Sequence, residues 1–134
     1  MARLERRLAE AEAALATLDE AVTTASRSLM ERDGAILRLI YTFEAIWKSC
    51  QAMLGEREDI EVGSPNTAIR AARRLGWLSD EDAEAAIKVG KDRNLAVHMY
   101  RGQLGAEIEE RLAVHAALLR RWLDALNRRA ETSD

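Results

Sequence analysis

Apolar positions recur along this chain at steps of three and four residues, the period of one face of an α-helix. The first such stripe is Leu4, Leu8, Ala11, Leu15, Leu18, Val22, Ala25 and Leu29, with Arg6, Arg7, Glu10 and Glu12 off the seam. It predicts a long helix over about Arg3 to Met30, packed lengthwise in a bundle. Gly34 marks the next junction and Asp33 supplies a cap. A second helix, about Asp33 to Leu54, carries Ile36, Ile40, Phe43, Trp47, Cys50 and Leu54, with Leu39, Ile46 and Met53 as a parallel stripe. Two adjacent stripes need two covers, so this is either the bundle's central helix or one that also offers a dimer face.

Beyond a polar loop from Gly55 to Gly63, Ser64-Pro65 is a helix start, with Ser as N-cap and Pro in the first turn. The short helix ends near Leu75, and Gly76 stops it. Ser79-Asp80-Glu81-Asp82 opens a fourth helix, with acids where the helix dipole favours them. Its expected inner face is Ala83, Ile87, Gly90, Asn94 and Val97. Gly102 and Gly105 punctuate, and a fifth helix over about Leu104 to Arg128 turns Leu104, Ile108, Leu112, His115, Leu119, Trp122 and Leu126 inward. The expected fold is all-α: an up-and-down four-helix bundle with an additional short helix, in one domain over residues 1–134.

Composition agrees, since Ala, Leu, Glu and Arg are abundant, with one Pro and few aromatics (three Trp, two Tyr, one Phe). A net charge of −3 argues against a protein that coats nucleic acid through bulk positive charge, but not against a locally basic site. A single cysteine, Cys50, is expected to be a small core residue and makes no intramolecular disulfide. Neither a leader pattern nor a membrane-length apolar run is seen, so a cytoplasmic protein without membrane partners is expected. Two isolated His and one Cys lack metal-ligand spacing, and there is no P-loop; no metal or cofactor is expected.

The residues suited to phosphate chemistry cluster in Arg93-Asn94-Leu95-Ala96-Val97-His98-Met99-Tyr100. Asn94 and His98, four apart, share a helix face. Arg93 and His98, five apart, diverge by about 140° on a regular helix. Either the helix ends before His98 or two copies of the chain contribute to one site, as a symmetric dimer allows. The structural alternatives are a hydrogen-bonded core Asn94, a His98 that caps the helix and a solvated Arg93. Glu44 and Lys48 are groove-lining candidates or an exposed ion pair, and Arg70, Arg73 and Arg74 are either an RNA-guiding patch or a solvated face. His115 is read as a half-buried bundle residue.

Arg, four residues, His, one residue, Tyr resembles the signature of HepT toxins in the HEPN superfamily, and Asn94 extends the match. The resemblance continues through Arg32 to Ile36, Tyr41 to Lys48, Gly63-Ser64-Pro65 and Asp92-Arg93-Asn94-Leu95, which look like the nucleotidyltransferase substrate-binding-like HEPN proteins over about Leu15 to Leu126. The run Met99-Tyr100-Arg101-Gly102 departs from the Thr-Tyr and acidic residues frequent in relatives.

The resemblance implies a homodimer with a composite, metal-independent endoribonuclease site of Arg93, Asn94 and His98 acting on RNA. It also implies a cognate MNT-type minimal nucleotidyltransferase antitoxin that adenylylates Tyr100. The alternatives are a non-catalytic accessory subunit that binds substrate or nucleotide for that transferase, and a structural helical adaptor if the motif is buried.

Overall fold

The computed structural model describes residues 3–99 and 102–132, with side chains for all of these but 99, 102 and 103. Five helices follow one another: α1 Arg3–Val22, α2 Leu29–Glu58, α3 Pro65–Arg74, α4 Asp80–Met99 and α5 Gly102–Glu131. The four long ones form the expected all-α bundle and α3 is the additional short helix.

The seam of α1 is buried at Leu4, Leu8, Ala11, Leu15 and Leu18, but the helix stops at Val22, well before Met30. Arg27 caps its end. Its guanidinium donates to the terminal carbonyls of Ala21 (3.1 Å) and Val22 (3.1 Å), and reaches Glu109 of α5 at 3.0 Å. The next helix starts at Ser28, not Asp33: the Ser28 hydroxyl accepts from the Glu31 amide and Glu31 accepts from the Ser28 amide. Leu29, expected on the first seam, is 69% exposed, and Gly34 lies inside α2.

Helix α2 touches all four others. Both of its stripes are covered within one chain: Ile36, Phe43, Trp47, Cys50 and Leu54 are buried, as are Leu39, Ile46 and Met53. The twin stripes therefore make α2 the central helix and do not themselves call for a partner. Burial raises the Cys50 thiol to about 12, so it packs as a neutral group.

Ser64 caps α3 through a reciprocal box with Thr67, and Gly76 follows at φ +77, a left-handed turn that glycine takes without strain. On α4 the buried face is rotated from the expected one. Ala83, Ala86, Val89, Gly90 and Asp92 are buried, whereas Asn94 and Val97 are exposed. Small residues let α4 lie close to α2: a Cβ on Gly90 would come within 3.3 Å of the Phe43 ring. Gly102 is the first residue of α5, whereas Gly105 lies buried inside the helix and does not interrupt it. The inner positions of α5 from Ile108 to Leu126 are buried as expected.

Candidate functional site

The candidate site lies where the second half of α4 crosses α2. Arg93 is half-buried, with its guanidinium carbon 5.9 Å from the centre of the Phe43 ring, within reach of a cation–π attraction. Its Nη1 donates to Asn94 Oδ1 at 2.7 Å and its Nη2 pairs with the Glu44 carboxylate. Lys48 Nζ stands 3.9 Å from the other Glu44 oxygen. The structure thus brings Glu44 and Lys48 to Arg93 from α2, and Glu44 is the group shared by both cations.

Asn94 is exposed and bonded to Arg93, so it is no core polar residue. His98 is exposed and makes no hydrogen bond to any described residue. Helix α4 runs without interruption through Met99, which removes one of the two geometric options: it does not end before His98. Arg93 and His98 consequently point about 140° apart around one regular helix. Tyr100 lies outside the described residues.

A cleft of about 210 Å³ opens between the start of α3 and α4, lined by Phe43, Pro65, Asn66, Lys91, Arg93 and Asn94 among others. Lys91 and Asn66 are additions that periodicity could not supply, because they meet only through the packing of α3 on α4. Larger depressions of about 420 and 430 Å³ lie elsewhere, around Arg3 and Glu61 and around Glu20 and Arg38, and gather none of the motif residues. Arg70, Arg73 and Arg74 are exposed on α3. Arg73 pairs with Asp80 at 3.2 Å, and the last turn of α3 sits about 12 Å along the helix from the cleft. The structure does not bring this patch to Arg93.

Behind the site is a polar cluster whose carboxylate and imidazole are buried and whose guanidinium reaches the surface. Asp92, 5% exposed, receives Arg111 Nε at 2.7 Å and Nη2 at 2.8 Å. His115 Nε2 lies 2.7 Å from the same carboxylate, and His115 is only 4% exposed, more enclosed than expected. Burial would raise the Asp92 acid. The hydrogen bonds from Arg111 and His115, and the positive charge beside it, outweigh that and hold it below the ordinary range. An ionised Asp92 only accepts, so Nε2 of His115 carries the proton between them. Among the described residues no group of three His, Cys, Asp or Glu could hold a metal ion, and no helix is long and apolar enough to cross a membrane.

Residues 6–133 match the family described as nucleotidyltransferase substrate binding protein like. A crystal structure of a protein from Thermus thermophilus is 46% identical, with 87% of this chain and 98% of that one covered, at a TM-score of 0.82. The tri-AMPylated Shewanella oneidensis HEPN toxin, in complex with its MNT antitoxin, superimposes at a TM-score of 0.80 over 96% of this chain and 99% of that one, with 16% identity. A mutant of the MntA-HpeT toxin–antitoxin pair gives 0.78 at 16% identity, over 93% and 97% of the two chains. A comparison with curated proteins finds no match. The chain belongs to the nucleotidyltransferase substrate binding protein like family, and its fold is that of the HEPN toxins.

Proposed function

We propose that this chain is a HepT-like HEPN toxin, a metal-independent endoribonuclease neutralised by an MNT-type nucleotidyltransferase. The observation that carries the reading is the half-buried Arg93 with the exposed Asn94 and His98 on one unbroken helix, in a chain whose fold matches a toxin found AMPylated and bound to an MNT antitoxin. Because Arg93 and His98 diverge, each chain supplies half of a site that a second copy completes. Exposed apolar residues flank the half-site on both helices, Leu37 and Tyr41 on α2 and Leu95 and Val97 on α4, and suit such a homodimer face.

In this reading the RNA's own 2′-OH attacks the adjacent phosphorus, and the bond to the 5′-oxygen of the next nucleotide breaks. His98 takes the proton from the 2′-OH, and its counterpart in the partner copy protonates the leaving oxygen. Arg93 holds the phosphate and stabilises the charge that builds on its oxygens. Asn94 holds Arg93 through the bond already formed and turns its amide N–H groups outward. Adenylylation of Tyr100 adds bulk and a negative phosphodiester, which repels an anionic substrate. Expression of the chain alone arrests growth in this scheme, and His98→Ala abolishes the arrest; full growth inhibition by that variant would reject it. Co-expression with the transferase adds adenylate-sized mass to the chain, and persistence of that mass in Tyr100→Phe would exclude Tyr100 as acceptor.

A second reading, a non-catalytic subunit that binds substrate or nucleotide for the transferase, is favoured by one feature: Glu44 already occupies part of the Arg93 guanidinium. Harmless expression of the chain alone, with nucleotide bound at Arg93, would select it. The exposure of the motif speaks against a purely structural adaptor.

A further inference from the structure

We infer that the Asp92–Arg111–His115 cluster, in which Asp92 and His115 are buried and Arg111 reaches in from the surface, is the positioning device of the site, holding the last turns of α4 so that Arg93, Asn94 and His98 project from a fixed frame; this rests on the ribonuclease reading for its consequence in catalysis. Asp92 is the last buried residue of α4 among the described ones. From 93 to 98 none is buried, and only Arg93 and Ala96 are half-buried. The segment bearing the chemistry is therefore held to the bundle by Asp92, by the contacts of Arg93 with Glu44 and Phe43, and by the half-buried Ala96.

At Asp92 the attachment is directional. The hydrophobic effect is non-directional, whereas hydrogen bonds weaken steeply off their axis. Asp92 Oδ1 takes Nη2 of Arg111, while Oδ2 takes both Nε of Arg111 and Nε2 of His115. Arg111 and His115 stand one turn apart on α5, so three bonds converge on one carboxylate from two levels. To the close packing at Gly90 and Phe43, Asp92 adds a directional constraint on the rotation of α4 and on its height along α5. Arg93 is the next residue, and its departure from the backbone inherits that setting.

A buried ionic cluster is an inefficient way to gain stability, because desolvation offsets much of the attraction. An apolar residue at Asp92 would fill the same space. What the carboxylate adds is a unique geometry, placed where a phosphate must be gripped and a proton moved. Glu44 then steadies the far end of the Arg93 side chain from α2, so backbone and guanidinium are fixed from opposite helices.

The test compares the full-length wild-type chain with Asp92→Asn, which keeps the shape but not the charge, and with the pair Asp92→Leu and His115→Leu, which replaces the polar contact by apolar volume. Below their unfolding transitions, amides of residues 94–98 should exchange with solvent at least about tenfold faster in both variants, while those of α1 and α2 keep wild-type rates. RNA turnover should fall on the order of a hundredfold in kcat, by more than any rise in KM. Wild-type exchange at 94–98 in either folded variant overturns the anchor, and so does a wild-type kcat. If the wild-type chain cleaves no RNA, the ribonuclease reading fails by itself, and the exchange rates still decide whether Asp92 holds the end of α4.

Discussion

Asp92 and Arg93 are neighbours in the chain, yet they enter opposite kinds of ion pair. Asp92 faces α5, is buried, and has both oxygens bonded by Arg111 and His115. Arg93 faces α2, is half-exposed, and meets Glu44, itself shared with Lys48. Although Arg111 reaches the surface, Asp92 and His115 are buried, so loss of their mutual contacts strands polar groups in a low-dielectric interior. Arg93 and Glu44 are both partly exposed, so water and incoming anions reach the pair. One helix turn thus carries a permanent joint on one side and a replaceable contact on the other, as a site that must hold still and also bind phosphate requires.

The comparison is broken most severely by Asp92→Ala, which leaves Arg111 and His115 without their carboxylate. Urea unfolding at neutral pH should show a loss of about 1–3 kcal/mol, chiefly from the buried His115 left without its acceptor. A loss below about 1 kcal/mol would place this cluster in the same class as the Arg93–Glu44 pair.

The next largest effect is on pH. Asp92 is held ionised in the fold below its ordinary range, so its contribution is present above the unfolded-state value of about 3.9 and is lost as pH falls through the lower folded-state value. The stability gap between wild type and Asp92→Asn should therefore be full at neutral pH and close progressively below about pH 4. A gap that stayed constant through acid would mean that the charge of Asp92 contributes nothing.

Glu44→Gln sharpens the other side. Its effect on stability should be under about 1 kcal/mol and should shrink with added salt. The same change frees the Arg93 guanidinium from a competing anion, so RNA should bind more tightly at low salt, measured in a His98→Ala background that prevents cleavage. Weaker binding would show that Glu44 serves Arg93 only as a brace. Lys48→Ala, at the outer edge of the pair, should change stability by no more than a few tenths of a kcal/mol.

Much of the framework was readable from residue order. Ser64-Pro65 and Gly76 bracket α3 because their backbone preferences are local, and the seam of α1 is a matter of spacing. The break between α1 and α2 was also present in the sequence. Ser28 and Glu31 form a capping box, and Thr23, Thr24, Ser26 and Ser28 are poor helix interiors, but the continuing three-four spacing through Ala25 and Leu29 masked them. The inner face of α4 was misplaced by one rotation. Ala83, Ala85, Ala86, Gly90 and Ala96 put small residues on several sides, and a helix of small residues has no dominant apolar face to read. The same ambiguity hid Asp92, a charged residue whose burial depends on donors 19 and 23 residues further along the chain.

By itself the sequence determined that this chain is a helical bundle and that Arg93, Asn94 and His98 share one segment. Those properties follow from periodicity and capping, which act over a few residues. Only the tertiary structure decided that Asn94 faces solvent, that Glu44 meets Arg93, and that Asp92 is locked to Arg111 and His115. These depend on how α2, α4 and α5 are rotated against one another. That rotation is set by close packing at positions such as Gly90 and Phe43 and by hydrogen bonds between residues far apart in the chain.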